Sequence, residues 1–510
     1  MSNLATNLSH SAARYPDRPA IRLDDEILSY RTLAGRVAAL AGWLAGHGVR
    51  AGDRVAIQLP NLPLFAVCYY ATLTAGAIAV PLNPLFKPRE IGYHLSDSQA
   101  TLLLAGPGSA DAATAGAGRA GVECLVLDPD TAAGLTAGPA GELDPAPAQP
   151  EDTAVILYTS GTTGVPKGAE LTHANLSRNV EVVRETLHDT GPEDVVFGGL
   201  PLYHSFGQTS GLNVTIASGS CLTLLPRFEP GKALEILQRD RVDVFLGVPT
   251  MYAALLHHPD AATADLSRLR LCVSGGASLP VELMREFETR FGCTILEGYG
   301  LSETSPVATF NHPGRPRKPG SIGTPIAGVQ VRVVDPAGRD LPAGEVGEIL
   351  IRGHNVMKGY WRRPEATAEA ITDGWFHTGD LARADADGYL FIVDRIKDLV
   401  IRGGYNVYPR EVEEVLYEHP AVAEVAVIGI PHPTLGQEVG AAVALKPGAR
   451  ATPEELREFV KDQVAPQKYP RYVWLLDELP KGPTGKLLKR EITPPPPLPD
   501  PPARAAAAGA

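Results

Sequence analysis

One stretch of the chain concentrates hydroxyls, glycines and a lysine, Tyr-Thr-Ser-Gly-Thr-Thr-Gly-Val-Pro-Lys-Gly at residues 158–168. Its small and hydroxylated members are Thr159, Ser160, Gly161, Thr162, Thr163 and Gly164. Glycines let backbone N–H groups approach phosphate oxygens, hydroxyls donate further hydrogen bonds, and Lys167 adds a positive charge. The stretch is not a Walker A sequence, because Pro166 precedes the lysine and Gly168 follows it. These residue types predict a triphosphate-binding loop, and a glycine-rich surface turn is the alternative for the stretch taken alone.

The residues around this loop indicate the elements that must position it. The apolar run 154–157 directly precedes the loop and predicts a buried strand that ends in it. Similar short apolar runs alternate with helix-like stretches along the first part of the chain. The strand-like runs include 55–59, 77–80, 124–127, 242–246 and 269–273, and the helix-like stretches include 33–46 and 281–291. This alternation is typical of parallel sheets covered by helices, so we predict an α/β fold.

Changes of pattern divide the chain further. The runs 329–334 and 346–351, separated by a turn-rich segment, predict a small β-rich subdomain, whereas the Ala-, Gly- and Pro-rich segment 104–150 predicts a loose surface excursion. Beyond residue 394 the pattern becomes that of a compact α+β domain. Its helix-like stretches are 410–419 and 453–464, and its strand-like stretches are 422–430 and 440–445. We therefore predict an N-terminal domain at 1–394, a C-terminal domain at 395–492 and a disordered Pro/Ala-rich tail at 493–510.

Composition excludes several classes of protein. A chain of 510 residues with 44% hydrophobic content is expected to form at least two domains. Its formal net charge of −12 disfavours general binding to nucleic acid or to an anionic membrane. The cysteines are scattered without metal-ligand spacing, at Cys68, Cys124, Cys221, Cys272 and Cys293. Together with the absence of an export signal at the N-terminus, this predicts a cytoplasmic protein without disulfides or structural zinc. The apolar stretch 64–80 is interrupted by polar residues and predicts a buried helix and a strand, so we expect no membrane-spanning segment.

Several further segments follow the loop in a fixed order. They are Pro-Leu-Tyr-His at 201–204, Gly-Tyr-Gly-Leu-Ser-Glu-Thr at 298–304, Phe-His-Thr-Gly-Asp at 376–380, Asp-Arg-Ile-Lys-Asp at 394–398, Gly-Gly-Tyr-Asn-Val-Tyr-Pro at 403–409 and Pro-Thr-Gly-Lys at 483–486. Each segment alone is a weak signal, but together they span more than three hundred residues in order. With the loop at 158–168, the chain resembles the adenylate-forming acyl-CoA synthetase superfamily. The resemblance implies a mobile C-terminal domain, ATP, Mg²⁺ and coenzyme A as cofactors or co-substrates, and small-molecule partners, with a homodimer left open.

The resemblance also implies roles in the first half-reaction, in which a carboxylate attacks the α-phosphorus of ATP. The hydroxyls of the loop and Lys167 would hold the β- and γ-phosphates, and Glu303 would coordinate Mg²⁺. Other positions would complete the nucleotide site: Thr304 against the phosphates, Tyr299 and Gly300 with Gly276 and Ala277 around adenine, and Asp380 and Arg395 at the ribose. Lys486 would contact the reacting carboxylate and α-phosphate. Alternatives for single residues are a solvated carboxylate for Glu303 and a loop cap or interdomain ion pair for Asp380 and Arg395.

For the second half-reaction the resemblance implies rotation of the C-terminal domain about Lys397. Gly403, Gly404 and Tyr405 would then line the channel for the thiol of coenzyme A, although a tight turn also explains the glycines. His204 and Gly275 would belong to the acyl pocket, whose walls are expected near 204–212, 247–255 and 275–279.

The expected pocket walls contain mainly small, aliphatic and polar residues, which favours an uncharged acyl tail because a buried unpaired charge is costly. We predict a medium- or long-chain fatty acid, with an aryl or cinnamate-like acid as the alternative. Transfer to a separate carrier protein, oxidation of the adenylate and a silent nucleotide-binding protein are the other outcomes to distinguish. A fused carrier domain is disfavoured because little sequence follows residue 492.

Overall fold

The computed structural model describes residues 3–137, 143–159, 165–482 and 485–495, and these form a mixed α/β fold. The strands in these ranges are β1 (Pro19–Leu23), β2 (Glu26–Ser29), β3 (Arg54–Gln58), β4 (Ile78–Pro81), β5 (Leu102–Ala105), β6 (Glu123–Val126), β7 (Thr153–Thr159), β8 (Lys167–Thr172), β9 (Val195–Gly198), β10 (Cys221–Leu224), β11 (Val244–Gly247), β12 (Leu271–Ser274), β13 (Ile295–Gly300), β14 (Val307–Phe310), β15 (Thr324–Pro325), β16 (Val329–Val334), β17 (Gly347–Gly353), β18 (Gly359–Tyr360), β19 (Ile371–Thr372), β20 (Trp375–Ala384), β21 (Leu390–Arg395), β22 (Val400–Arg402), β23 (Tyr405–Val407), β24 (Val422–His432), β25 (Gly436–Leu445) and β26 (Tyr472–Leu475). The α-helices are α1 (Thr6–Arg14), α2 (Tyr30–Gly46), α3 (Pro63–Thr74), α4 (Pro88–Ser98), α5 (Ala110–Ala120), α6 (Pro129–Thr136), α7 (His173–Val182), α8 (Val214–Ser218), α9 (Pro230–Arg239), α10 (Pro249–Leu256), α11 (Val281–Phe291), α12 (Pro364–Ala370), α13 (Pro409–Tyr417) and α14 (Pro453–Lys461). Two further segments are π-helical. Val183–His188 continues from α7, and Phe206–Asn213 leads into α8.

Two large sheets form the body of the molecule. One has the strand order β15-β14-β13-β12-β11-β9-β10-β1-β2, and the other has the order β18-β8-β7-β4-β3-β5-β6. Their inner strands pair in parallel, as the continuous apolar runs predict, because both faces of such strands are buried. Three of the four edges are antiparallel, whereas the β5–β6 edge is parallel. The antiparallel β7–β8 hairpin that flanks the hydroxyl-rich loop lies beside the edge strand β18. A hairpin allows this short connection, whereas parallel strands need a long crossover.

The prediction that segment 104–150 is a loose surface excursion was wrong for the first half of that segment. Residues 110–120 form α5, and its alanines suit a helix because alanine has the highest helix propensity. A side chain at Gly116 would lie only 2.5 Å from Cβ of Ile91, so the small residue allows α5 to approach α4 closely. Composition alone indicated a loop because small residues serve tight helix contacts as well as turns.

Two smaller sheets complete the fold. The β-rich subdomain has the order β16-β17-β20-β19, with β21 added beside β20, as the sequence predicts. The last sheet, β23-β22-β25-β24 with β26 beside β25, is covered by α13 and α14 and has its own buried cluster. Helix α14 begins with a capping box in which Thr452 and Glu455 satisfy each other's backbone N–H groups. The predicted α+β pattern after residue 394 is therefore confirmed.

None of the helices in the described ranges has the length and apolar character needed to cross a membrane. Most of the tail that is predicted to be disordered, residues 496–510, lies outside the described residues.

Candidate active site

One large cavity lies where the carboxyl ends of several strands meet the residues after 394. Its volume is about 1470 Å³. Strands β7, β11, β12 and β13 all lead directly into wall residues, which is the usual location of ligand sites in open α/β sheets. Lys486 and Arg395, from the part of the chain after residue 394, also line the cavity. The arrangement gathers segments that are far apart in the sequence around a single space.

Glu303 is the centre of a hydrogen-bonded group at one end of the cavity. Its carboxylate is buried, and Oε1 accepts hydrogen bonds from the hydroxyl of Thr159 at 3.2 Å and from that of Tyr360 at 3.1 Å. Burial, with Glu303 nearby, raises the pKa of Tyr360, so its hydroxyl stays protonated and donates. Nζ of Lys167 lies 5.3 Å from the centre of the Tyr360 ring. This group therefore places a carboxylate, a hydroxyl and an ammonium together at the end of the β7–β8 hairpin.

The donor set fits a magnesium ion that is held mainly by substrate phosphates. The described part of the chain contains no cluster of three or more potential metal-ligating side chains. Mg²⁺ often takes one or two protein carboxylates and completes its shell with phosphates and water, so Glu303 alone is sufficient. The oxygen-only environment of Glu303, Thr159 and Tyr360 suits such a hard cation.

The predicted phosphate contacts of the loop cannot be placed. They are Ser160, Gly161, Thr162, Thr163 and Gly164, which lie outside the described residues, and their roles stay predictions. The two flanking residues are placed, because Thr159 and Lys167 pair directly across the antiparallel hairpin. Both ends of the loop thus meet at the cavity.

A second group of residues forms the predicted adenine side. Gly276, Ala277 and Tyr299 line the cavity, and so does Gly275, which was predicted for the acyl pocket. A side chain at Gly275 would meet the ring of Phe206 at 3.2 Å, so glycine keeps this wall open. Gly300 is held more tightly, since a Cβ there would lie 1.7 Å from the carbonyl oxygen of Pro306. Gly300 is therefore required by a close backbone contact, whereas Gly275 leaves room for the ring of Phe206.

Thr304 does not line the cavity in this structure. It is fully buried, and its hydroxyl accepts from the backbone N–H of Leu301 at 2.8 Å and donates to the carbonyl of Pro306 at 2.6 Å. The hydroxyl thus holds the turn that carries Glu303, and its predicted contact with phosphates stays a prediction.

Asp380 is buried at the opposite wall and receives donors on both carboxylate oxygens. The hydroxyl of Tyr299 donates to Oδ2 at 2.6 Å, and Nε of Arg395 donates to Oδ1 at 2.8 Å. Burial and the nearby carboxylate raise the pKa of Tyr299, so it remains a donor. Each carboxylate oxygen can accept a second hydrogen bond, so capacity for ribose hydroxyls remains.

Sequence reasoning missed two residues of this site. Glu348 accepts from the backbone N–H of Gly379 at 3.0 Å and contacts Nδ1 of His377 at 3.1 Å, which orients the segment before Asp380. Tyr360 is the second, through its contact with Glu303. A single glutamate on a strand of alternating polar and apolar residues predicts a solvent-exposed side chain. The Gly-Tyr-Trp sequence around Tyr360 contains no polar residues at a recognisable spacing. Neither residue therefore gave a local signal of function.

Lys486 and His204 line the cavity, and both side chains are exposed within it. Desolvation by nearby protein atoms, with Arg395 as a neighbouring charge, lowers the pKa of Lys486 to about 8. The same effect, with Lys486 as a neighbouring charge, lowers the pKa of His204 to about 4 and keeps its imidazole neutral. Thr250 donates a 3.0 Å hydrogen bond to the carbonyl of Gly485 and thereby docks the lysine-bearing loop on the first part of the chain. The cavity therefore places the ammonium of Lys486 close to a neutral histidine.

The predicted acyl side of the cavity surrounds His204. Its walls come from the predicted segments and, in addition, from the π-helical segment Val183–His188 and from Phe310. No lysine or arginine lines the cavity within five described ranges of the chain, which are 183–188, 200–210, 248–253, 273–283 and 297–310. Burial, with Arg270 nearby, lowers the pKa of His188 to about 3, so this histidine is neutral as well.

Two family models match the chain. The model of the AMP-binding enzymes matches residues 8–361, and the model of the AMP-binding enzyme C-terminal domain matches residues 411–486. The chain belongs to the AMP-binding enzyme family. The acyl-CoA synthetase type inferred from its motifs is thereby confirmed.

Individual members of the AMP-binding family agree with this assignment over nearly the whole chain. A long-chain-fatty-acid–CoA ligase of Bacillus subtilis is 40% identical, with 96% of this chain and 94% of the relative covered. A feruloyl-CoA synthase of Amycolatopsis is 41% identical, with 94% and 96% covered. Among solved structures, an anthranilate CoA ligase in complex with anthranoyl-AMP is 30% identical, superposes with a TM-score of 0.91 and covers 96% of both chains.

This AMP-binding enzyme presents only part of its predicted site to the cavity. Lys486 and Lys397 line it, whereas the segment 403–405 does not. Gly403 and Gly404 have φ values of +57° and +85°, which favour glycine, and the side chain of Tyr405 is 60% exposed. Among the described residues predicted for adenylation, all except Thr304 line the cavity, whereas residues 403–405, predicted for coenzyme A, lie outside it.

Proposed function

We propose that this AMP-binding enzyme is an ATP-dependent acyl-CoA synthetase that activates a carboxylic acid with an uncharged acyl tail. In the first step a carboxylate oxygen attacks the α-phosphorus of ATP, which forms acyl-AMP and releases pyrophosphate. In the second step the sulfur of coenzyme A attacks the acyl carbon, which forms the thioester and releases AMP. The observation that carries the proposal is the convergence of Lys486, Asp380, Arg395 and Glu303 on one cavity.

The end of the cavity near Glu303 is the proposed phosphate site. Lys167 and Thr159 would contact the β- and γ-phosphates, and Glu303 would hold Mg²⁺. The bound ion would neutralise phosphate charge and assist the departure of pyrophosphate. Tyr360 orients the carboxylate by its 3.1 Å hydrogen bond, so the site is organised before the nucleotide arrives.

The opposite wall is the proposed nucleoside and reaction site. Asp380 would accept hydrogen bonds from the ribose hydroxyls, Arg395 would add a ribose or phosphate contact, and Tyr299 would pack against adenine. Lys486 would bridge the incoming carboxylate and the α-phosphate, where two anions must approach each other. An ammonium placed between the two anions would offset that repulsion.

The second half-reaction requires a different arrangement. We propose that residues 395–492 rotate as a unit about Lys397, so that Gly403, Gly404 and Tyr405 replace Lys486 at the cavity. Two observations support this: the C-terminal sheet has its own buried cluster, and Tyr405 is exposed in the present arrangement. A large exposed aromatic side chain beside two glycines is suited to a surface that packs against another part of the chain in a second state.

The absence of lysine and arginine from the described acyl walls supports an acid without a second carboxylate. We propose a medium- or long-chain fatty acid, as in the relative from Bacillus subtilis. An aryl or cinnamate-like acid is the second candidate, because the aromatic ring of Phe206 lines the cavity close to Gly275. The feruloyl and anthranilate relatives favour this second candidate.

The test is to incubate the protein with ATP, Mg²⁺, coenzyme A and a panel of fatty, aryl and dicarboxylic acids while measuring pyrophosphate, AMP and acyl-CoA. Acyl-CoA with stoichiometric AMP from one acid class would confirm the function and identify the substrate. Pyrophosphate release without acyl-CoA would indicate a carrier protein as acceptor. Turnover with dicarboxylic acids alone would contradict the proposed pocket, and no turnover with any acid would contradict the proposed function.

We also propose the cytoplasm as the compartment, supported by five cysteines that are all free. Light scattering after size-exclusion chromatography would distinguish a monomer from the homodimer that the sequence leaves open.

A further inference from the structure

Helix α4 contacts both strands of the hairpin that carries the proposed phosphate contacts. The hydroxyl of Tyr93 donates a 2.6 Å hydrogen bond to the carbonyl oxygen of Pro166. One turn further along α4, Oδ2 of Asp97 accepts a 2.8 Å hydrogen bond from the hydroxyl of Tyr158. Residues four positions apart lie on the same face of a helix, so one face of α4 reaches both strands.

The contacted residues stand directly beside the proposed phosphate ligands. Tyr158 precedes Thr159, and Pro166 precedes Lys167. Thr159 and Lys167 also pair with each other across the hairpin. A small displacement of either strand would therefore shift a hydroxyl or an ammonium relative to the nucleotide phosphates.

Asp97 is itself fixed from a third direction. Its side chain is only 10% exposed and forms an ion pair with Arg363. Its backbone carbonyl accepts a 3.1 Å hydrogen bond from Nε1 of Trp361, whose backbone N–H donates to the carbonyl of Gly168 at 2.7 Å. Helix α4 and strand β8 are thus joined through Trp361. Such connected polar networks restrict the position of each member.

The two tyrosines can be altered without removing their packing. The ring of Tyr158 packs edge-on against His94, with ring centres 4.5 Å apart. Burial, with Asp97 nearby, raises the pKa of Tyr158, so its hydroxyl is a donor throughout the neutral range. A change to phenylalanine keeps the ring contact and removes only the hydrogen bond.

We propose that Tyr93 and Asp97 are positioning residues that set the placement of Lys167 and Thr159 for the phosphates of ATP. The inference rests on the proposed function only in that ATP binds at this end of the cavity. It concerns the affinity for the nucleotide and predicts no direct effect on the acyl side, where His204 and Gly275 lie.

The test compares Tyr93→Phe and Tyr158→Phe with a matched control, Tyr389→Phe. Tyr389 also donates to a proline carbonyl, that of Pro316 at 2.5 Å, but does not line the cavity. We expect the KM for ATP to rise about 2- to 10-fold in both test variants, the factor expected for one lost hydrogen bond, with kcat and the KM for the acid unchanged. In the control all three constants should match the wild type.

A binding measurement without acid or coenzyme A separates this inference from the proposed function. ATP with Mg²⁺ should raise the melting temperature of the wild type and of Tyr389→Phe, and raise it less in the two test variants. This comparison holds even if the wild type makes no acyl-CoA from any acid, a result that would contradict the proposed function alone.

The carboxylate of Asp97 provides an independent check of the positioning role. Asp97→Ala should weaken ATP binding, and Asp97→Asn should restore most of it, because the amide keeps an acceptor oxygen for Tyr158. Unchanged ATP affinity in Tyr93→Phe, Tyr158→Phe and Asp97→Ala would overturn the inference. An equal rise in the KM values for ATP and for the acid would overturn it as well, since that pattern indicates a general structural role.

Discussion

The hydroxyl of Tyr299 donates a 2.6 Å hydrogen bond to Oδ2 of the buried Asp380, while Arg395 holds Oδ1 from the other side. Tyr299 belongs to β13, in the large sheet that runs from β15 to β2, and Asp380 belongs to β20 of the β-rich subdomain. The contact therefore connects two sheets at the proposed nucleoside wall. It fixes the direction of the carboxylate before any ribose hydroxyl arrives.

Changing Asp380 to asparagine should weaken the use of ATP strongly. The amide cannot accept on both atoms, so Arg395 or a ribose hydroxyl would lose its partner. We expect kcat/KM for ATP to fall about 10- to 100-fold, the factor for a lost hydrogen bond to a charged group. Steady-state kinetics with varied ATP would measure this. Tyr299→Phe should show a smaller loss, and full activity in Asp380→Asn would contradict the ribose assignment.

Changing Lys486 to alanine should separate the two half-reactions. The ammonium faces the cavity in this arrangement, so adenylation should fall about 100-fold or more. Thioester formation from supplied acyl-AMP should remain largely intact, because the proposed second arrangement moves Lys486 away. Pyrophosphate release and acyl-CoA formation measured separately would test this. Equal loss of both steps would refute the division.

The lowered pKa of Lys486 predicts an alkaline limit for adenylation. Because its pKa is about 8, the lysine is protonated below that value and loses its charge as the pH rises through it. The kcat/KM for the acid should therefore fall about tenfold per pH unit above this point. In Lys486→Arg the guanidinium keeps its charge, so the alkaline decline should disappear although the rate is lower. A decline that persists unchanged in the arginine variant would assign it to another group.

Stiffening the proposed hinge should affect the second step. Lys397 lies in the short turn Ile396–Asp398, and proline there would restrict the backbone that must change during rotation. We expect acyl-CoA formation in Lys397→Pro to slow about 10-fold or more, while acyl-AMP still forms. Lys397→Ala is the control, because it removes the charge without stiffening the chain. Wild-type turnover in the proline variant would contradict the hinge.

A methyl group at Gly300 should disrupt the segment that carries Glu303. The added Cβ would lie 1.7 Å from the carbonyl oxygen of Pro306, a backbone atom that cannot move aside alone. We expect Gly300→Ala to lose adenylation and to melt at a lower temperature than the wild type. Gly42→Ala in helix α2 is the control, since nothing lies within 4 Å of its added Cβ. That change should be neutral or stabilise by about 0.5–1 kcal/mol. Activity near the wild-type level in Gly300→Ala would show that the Tyr299–Glu303 segment tolerates the shift.

The predictions that succeeded rest on information that is local in the sequence. The apolar run before Thr159 forms β7, and the stretch after Pro280 forms α11 with the predicted bounds. Periodicity and turn residues act over a few positions, so they can be read from one segment at a time. The same approach failed for Ala110–Ala120, because a run of small residues is compatible with a turn or with a tightly packed helix.

The order of the motifs, the types of the elements and the residues that could bind phosphate and carboxylate groups can be predicted from the sequence alone. Which side chains meet depends on how distant segments pack in the folded protein. Tyr360 reaches Glu303 across 57 positions, and Tyr93 reaches Pro166 across 73. Sheet order and helix packing create these contacts, and neither leaves a periodic signal in the segments that they join. The residue types that a reaction needs can therefore be recognised in short stretches, whereas their relative positions depend on packing between distant parts of the chain.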